Sequence, residues 1–257
     1  MALLRLASVT RSFYGVHALN GVTMDVPACG ITGLIGPNGA GKTTLFNCIT
    51  GVVPADGGTV VFDGADITRL RADQITRLGL SRAFQIARPM QRLSVLDNMI
   101  LYGANQPGER VFQALANTAK SRAREAALIE RAVAIARRLN LMHVIRNPAA
   151  DLSGGQKKLL EIGRALMTEP KLILLDEPIA GVNPTLAKEI GEQLRTLAAD
   201  GIAILLIEHH MDTIARLCDR VIVLADGRYL ASGSFANIAD DPTVQEAYMG
   251  RRWRSAG

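Results

Sequence analysis

The chain has 257 residues, 48% of them hydrophobic and 21% charged, which excludes a disordered protein and suffices for one large α/β domain or two small ones. Its net charge of +5 suits polyphosphate or an anionic membrane face, but does not indicate nucleic-acid binding. No apolar run approaches the roughly 20 residues of a membrane-spanning helix.

The start of the chain shows no signal-peptide pattern, which predicts a cytosolic protein. Cys29, Cys48 and Cys218 are scattered and form no C-x-x-C pair. We therefore expect reduced cysteines buried as small apolar side chains. The basic tail, residues 251–257, is expected to be solvated.

The first third of the chain predicts strands followed by a phosphate-binding loop. Strands are expected at 3–8, 18–26 and 31–35, a helix at 44–50, and a strand at 59–62 that ends in an Asp-Gly turn. The sequence GPNGAGKT at 36–43, here called the phosphate loop, fits G-x-x-x-x-G-K-[ST] between a strand and a helix.

This loop predicts a nucleotide site. Its glycines let backbone N–H groups wrap phosphate oxygens, and the following helix adds partial positive charge. Lys42 is expected to reach the β- and γ-phosphates, and the Thr43 hydroxyl to bind Mg²⁺. The predicted ATP contacts here are Gly36, Asn38, Gly39, Ala40, Gly41, Lys42, Thr43 and Thr44.

The middle of the chain changes character. From 85 to 151 strand patterns vanish, and apolar residues at 128, 132, 135 and 139 follow a helical period. We predict a helical subdomain at 85–151 inserted between a first core segment, 1–84, and a second, 152–250.

The α/β pattern then returns. Helices are predicted at 157–167 and 185–199, buried strands at 172–175 and 202–207, and a hairpin at 221–231. The strand at 172–175 ends in two carboxylates, of which Asp176 is expected to hold Mg²⁺ and Glu177 to take a proton from an attacking water.

The pentapeptide LSGGQ at 152–156 opens a helix, with Ser153 as the expected N-cap. Together with the phosphate loop and the acidic strand end, it resembles the signature of the ABC ATPase family, over about residues 3–250. The resemblance implies a P-loop NTPase core with an N-terminal antiparallel β subdomain and an inserted α-helical subdomain. It also implies ATP hydrolysis by a dimer.

Further site residues follow from the resemblance alone. The signature, Ser153, Gly154, Gly155 and Gln156, would cap the γ-phosphate held by the other subunit. Gln85 matches a residue that senses the γ-phosphate, the attacking water and Mg²⁺.

His209 matches the family's switch histidine, with His210 as the alternative. Phe13 matches the aromatic residue that stacks on adenine, with Tyr14 as the alternative. The interface loop at 180–183 has Asn183 where Asp is usual in the family, which puts one inter-subunit contact in doubt.

The stretches DEPIAGVNP at 176–184, LLIEHHM at 205–211 and QEAYMG at 245–250 resemble ATPases of branched-chain amino-acid importers. That resemblance implies a homodimer or a heterodimer with a second ABC ATPase, bound to integral-membrane permeases at the cytoplasmic face of the inner membrane. An extracytoplasmic solute-binding protein would act indirectly, without nucleic acid. The alternatives are a lipopolysaccharide-type exporter subunit and a soluble ABC ATPase.

Overall fold

The computed structural model describes residues 2–83, 89–103 and 119–254, excepting the side chains of 119–121 and 249–254. Contacts divide the chain into two compact units. We call Met1–Arg82, Lys171–Pro178 and Leu194–Gly257 the sheet unit, and Ala83–Pro170 with Ile179–Gln193 the helical unit.

Two sheets form the sheet unit. Their strands are β1 (Ala2–Phe13), β2 (Val16–Pro27), β3 (Ile31–Ile35), β4 (Gly57–Phe62), β5 (Ala65–Asp66), β6 (Leu80–Ala83), β7 (Leu172–Asp176), β8 (Ala203–Ile207), β9 (Arg220–Ala225) and β10 (Arg228–Gly233). The first sheet is antiparallel, in the order β2-β1-β4-β5, and the second has the order β10-β9-β3-β8-β7-β6.

The second sheet is parallel from β9 to β7, and β10 returns antiparallel to β9. Every residue of β3 and β8 is buried. Continuous Ile- and Leu-rich runs of this kind are typical of strands covered on both faces. Leu4, Phe46, Leu174 and Leu205 belong to one apolar core that both sheets and the first helix share.

The described helices of the sheet unit are α1 (Lys42–Ile49), α2 (Ala72–Arg77), α7 (Met211–Leu217), α8 (Phe235–Ala239) and α9 (Pro242–Arg254). Helix α1 begins directly after the phosphate loop and buries Leu45, Phe46 and Ile49 in the shared core. The core contacts of α1 therefore fix the position of the loop that precedes it.

The helical unit contains α3 (Val95–Ile100), α4 (Ala119–Arg138), α5 (Gly154–Met167) and the first turns of α6 (Pro184–Ala199). Gly163 of α5 lies against Met99 and Leu139, and a Cβ at this glycine would stand 2.6 Å from the Met99 side chain. A larger residue at 163 would therefore have to displace the Met99 side chain where α5 meets α3 and the end of α4.

The predicted fold class is confirmed, and predicted elements differ from the observed ones mainly at their ends. The first two strands reach Phe13 and Pro27 rather than 8 and 26, because they continue as a hairpin through a two-residue turn. The expectation of buried cysteines is met in full by Cys48 alone, since Cys218 is half-buried and Cys29 is exposed in the turn before β3.

The proposed division into 1–84, 85–151 and 152–250 stays a prediction. Contacts group α5 with the helical unit, because the helix packs on α3 and α4.

Among the described helices, none combines the length and the apolar character needed to cross a bilayer.

Two Asp-Gly turns allow the cost of replacing a glycine by alanine to be compared at an open and at a crowded position. Gly64 and Gly227 both have positive φ, 81° and 72°, in two-residue turns. A Cβ at Gly64 meets open space, whereas one at Gly227 stands 2.7 Å from the Ala18 carbonyl oxygen.

Gly64→Ala should therefore cost only backbone strain, about 1 kcal/mol, and lower the melting temperature by about 2–4 °C. Gly227→Ala adds a clash with backbone and should lower it at least twice as far. Thermal unfolding by calorimetry measures both, and equal shifts would contradict the close approach at Gly227.

Candidate active site

Three neighbouring strands end at one edge of the parallel sheet. β8 lies between β3 and β7, with Ile207 opposite both Leu34 and Asp176. Because the strands are parallel, the segments after them emerge at the same carboxyl edge. The phosphate loop, His209 and the Asp176–Glu177 pair are therefore brought to one edge.

Glycines shape the phosphate loop. Gly39 and Gly41 have φ of 78° and 95°, which favours glycine. At Gly36, where φ is 149°, a Cβ would stand 2.0 Å from the Leu224 carbonyl oxygen. Ala40 is fully buried and donates its N–H to Pro37 within the loop, so its contribution is to the loop's shape.

Lys42, the first residue of α1, is buried and folded onto the loop. Its Nζ donates to the carbonyl oxygens of Gly36 at 2.6 Å and Pro37 at 3.0 Å. No described side chain caps α1 at Gly41, while Asn38 and Thr43 are exposed and Thr44 half-buried. The loop thus offers a cation and a helix N-terminus, which together suit a phosphate.

Asp176 is paired with Arg82, a residue that the sequence analysis did not single out. Arg82 Nη2 donates to Asp176 Oδ2 at 3.1 Å, and only 4% and 10% of the two side chains are exposed. Burial raises the pKa of Asp176, and Arg82 pulls it back. A basic residue inside a buried four-residue strand was the signal available in the sequence.

Glu177 and His209 form the second pair of the site. His209 Nε2 lies 2.9 Å from Glu177 Oε1, and both side chains are about half exposed. Glu177 has a φ of 53°, unusual for a residue other than glycine, and donates its N–H to Ile207. Such strain is concentrated at functional sites in proteins, and here it accompanies the turn of the chain away from β7.

The alternative histidine has a different neighbour. His210 Nδ1 lies 3.4 Å from Glu208 Oε2, and the Glu208 side chain is fully buried. The structure thus brings His209, and not His210, to Glu177.

Phe13 and Tyr14 are adjacent but lie in different surroundings. Tyr14 occupies the two-residue turn between β1 and β2 and is fully exposed, whereas Phe13 is 38% exposed. The Arg11 guanidinium lies 4.7 Å from the centre of the Phe13 ring and also bonds Asp56. Stacking of either ring on adenine stays a prediction.

The signature segment belongs to the helical unit. Ser153 Oγ accepts from Gln156 N–H, and Gln156 Oε1 accepts from Ser153 N–H, so α5 begins with a reciprocal cap. Ser153 and Gly154 are exposed, and Gly155 is buried against Leu186. The start of α5 is therefore preformed and open to the surface.

Asn183 has a local role at the start of the next helix, one that Asp would fill equally well. Its Oδ1 accepts a hydrogen bond of 2.9 Å from Leu186 N–H at the start of α6. Asn and Asp cap helices about equally well, so the substitution keeps the cap and removes a negative charge.

A divalent cation fits the chemistry of two of the predicted ligands. Thr43 offers an exposed hydroxyl and Asp176 a carboxylate, both oxygen donors of the kind that Mg²⁺ prefers. Among the described residues, no cluster of three or more His, Cys, Asp or Glu could hold a metal. Nucleotide oxygens would have to complete the set. Gln85, the third predicted ligand, lies outside the described residues.

Comparison with known proteins places these features in a family. The ABC transporter family profile matches residues 19–180. The chain is 41% identical over 254 residues to a probable branched-chain amino acid transport ATP-binding protein LivG of Methanocaldococcus jannaschii, covering 97% of this chain and 98% of that one.

The chain is also 35% identical over 249 residues to the high-affinity branched-chain amino acid transport ATP-binding protein LivG of Escherichia coli K12, covering 96% and 98% of the two chains. Among solved structures, it resembles a nucleotide-free ATP-binding cassette from an ABC transporter. The TM-score is 0.83 at 38% identity, covering 97% of this chain and all of that one. An ADP-bound cassette of an ABC transporter matches with a TM-score of 0.82 at 38% identity, covering 97% of this chain and 99% of that one.

The cap at Asn183 can be tested by two substitutions. Asn183→Ala leaves Leu186 N–H without its acceptor and should cost about 1 kcal/mol, or about 2–4 °C in melting temperature. Asn183→Asp keeps the acceptor and should match or exceed the wild type. Thermal unfolding distinguishes the two, and an unshifted Asn183→Ala would show that the cap is dispensable.

Proposed function

This chain belongs to the ABC transporter family and is an ATP-hydrolysing subunit of it, and we propose that it powers uptake of branched-chain or related amino acids through separate permease subunits. The carboxyl edge of the parallel sheet carries the proposal. The segments that carry the phosphate loop, the Asp176 carboxylate and the Glu177–His209 pair leave the sheet at that edge, which supports ATP binding and hydrolysis there.

The phosphate loop is proposed to bind ATP. The ammonium of Lys42 lies against loop carbonyls that a phosphate would replace as partners. Adenine would stack on the ring of Phe13, which the Arg11 guanidinium contacts on one face. Thr43 and Asp176 would hold Mg²⁺, which supplies charge neutralisation at the β- and γ-phosphates when bound.

Hydrolysis needs a base at the attacking water. Glu177 is proposed to accept the water proton as the oxygen bonds to the γ-phosphorus and ADP leaves. His209 Nε2 lies 2.9 Å from Glu177 Oε1, and we propose that it donates its N–H to this carboxylate and orients it. Gln85 stays a predicted contact to the γ-phosphate.

A second subunit is proposed to complete each site. Ser153 and Gly154 stand exposed at the N-terminus of the 14-residue helix α5, which carries partial positive charge. In a homodimer, or in a heterodimer with a related ATPase, this end would face the γ-phosphate bound by the other chain. Asn183 would lie at that interface without the charge that Asp would bring.

The transport step is assigned to other polypeptides. We propose peripheral binding to permeases at the cytoplasmic face of the inner membrane, with a solute-binding protein acting from the other side. The relatives named as branched-chain amino acid transport proteins support import, and none of those compared favours the exporter alternative. No nucleic acid is part of the proposal.

Removing the Lys42 ammonium tests nucleotide binding. A charge-assisted contact is worth about 1.5–3 kcal/mol, so Lys42→Ala should weaken ATP binding at least tenfold and abolish turnover. Isothermal calorimetry measures the affinity. Lys188→Ala, at an exposed position on α6, is the control and should bind as the wild type does. If Lys42→Ala bound ATP as tightly as the wild type, the assignment of the phosphate loop as the ATP site would be wrong.

Removing the base tests the chemistry separately from binding. Glu177→Gln keeps the size and hydrogen-bonding reach of the side chain but cannot accept a proton, so hydrolysis should fall about 10²–10⁴-fold while ATP still binds. The variant should accumulate as an ATP-bound dimer in gel filtration. Glu192→Gln, on the exposed face of α6, should change nothing. A Glu177→Gln rate within a few-fold of the wild type would exclude Glu177 as the base.

A further inference from the structure

Arg82 occupies a buried position between three elements of the sheet unit. It lies on β6, and its side chain is 4% exposed. One guanidinium nitrogen, Nη2, donates to Asp176 at the end of β7. A second nitrogen, Nη1, donates to Asn47 Oδ1 of α1 at 2.6 Å. The cation also lies 5.5 Å from the centre of the Phe46 ring, again on α1.

The two bonded partners lie on the two elements that would supply the cation ligands. Asn47 stands on the same helix as Thr43, one turn further along, and Asp176 is itself the predicted carboxylate ligand. The guanidinium is a planar fork with fixed angles between its donors. Holding Asn47 with one arm and Asp176 with the other therefore fixes the distance between α1 and the carboxylate.

Arg82 engages one oxygen of the Asp176 carboxylate in the contact described, Oδ2 at 3.1 Å. A carboxylate has about four acceptor positions, so Oδ1 keeps acceptor capacity for a hydrated cation. A carboxylate that is only 10% exposed and lacks this counter-charge would rotate towards water. The two hydrogen bonds of Arg82 thus keep Asp176 aimed before any nucleotide arrives.

We propose that Arg82 is a positioning residue for the divalent-cation site, acting through Asp176 and Asn47 rather than by touching the nucleotide. The inference rests on the proposed function, because it takes Thr43 and Asp176 as the ligands. A purely structural ion pair would change stability alone, whereas a positioning role changes how much Mg²⁺ the ATP complex requires.

A second ion pair of the same length provides the control. Arg220 Nη1 lies 3.1 Å from Asp25 Oδ2, and Arg220 stands at the amino end of β9, opposite the carboxyl edge. Arg220→Met therefore removes an arginine–aspartate pair from the sheet unit without touching the site.

The experiment compares Arg82→Met, Arg82→Lys, Asn47→Ala and Arg220→Met with the wild type. ATP affinity is measured by calorimetry in EDTA, and the metal requirement by titrating Mg²⁺ into the ATP-bound protein. Mn²⁺ in place of Mg²⁺ gives an electron paramagnetic resonance signal that reports the bound metal directly. Circular dichroism and thermal unfolding establish that each variant is folded.

Arg82→Met should raise the half-saturating Mg²⁺ concentration at least tenfold and alter the bound Mn²⁺ spectrum, with metal-free ATP affinity within twofold of the wild type. Arg82→Lys keeps the charge but loses the fork and should shift the Mg²⁺ requirement less. Asn47→Ala removes one anchor and should shift it in the same direction. Arg220→Met should leave it unchanged.

An unshifted Mg²⁺ requirement in folded Arg82→Met overturns the inference. If Arg82→Met does not fold, Arg82→Lys decides, because an unshifted requirement there shows that the fork does not position the carboxylate. A wild type that binds no ATP would instead overturn the proposed function, and the inference with it.

Discussion

The parallel ladder of β3, β8 and β7 is the constraint on which the site depends. Ile207 stands level with Leu34 on one side and Asp176 on the other, so the register of two strand pairs sets where three chain segments leave the sheet. A slip of one residue would turn every side chain of a strand to the other face. All residues of β3 and β8 are buried, so such a slip would misfit close-packed side chains on both faces, and this packing holds the proposed catalytic groups in place.

The ionisable side chains at this edge have partners within the protein before a ligand binds. Lys42 is satisfied by carbonyl oxygens of its own loop, Asp176 by Arg82, and Glu177 by His209. Leaving a buried charge unpaired costs several kcal/mol, more than an ordinary domain can tolerate repeatedly. Binding of ATP would therefore exchange partners rather than create them, which favours a site that is largely preformed.

The sequence predicted the α/β class, the phosphate loop and the acidic strand end, because each has a local pattern: a motif between a strand and a helix, or a buried run ending in carboxylates. It did not predict the Arg82–Asp176 pair, which joins residues 94 positions apart, since no local period records which side chains a sheet brings together. The sequence showed that Asn183 departs from the usual Asp. It did not predict the hydrogen bond from Leu186 N–H to Asn183, because that bond depends on the local backbone conformation. Gln85 and the signature residues stay predictions as parts of the site.

The exposed thiol of Cys29 allows the protein to be labelled at a single cysteine. Burial raises the pKa of Cys48 to about 11 and that of Cys218 to about 12, so both stay protonated and unreactive near neutral pH. These are all the cysteines of the chain. Cys29 precedes β3 at the amino edge of the sheet, away from the phosphate loop. A maleimide dye would thus attach at one place without mutagenesis and give a fluorescent reporter that leaves the carboxyl edge untouched.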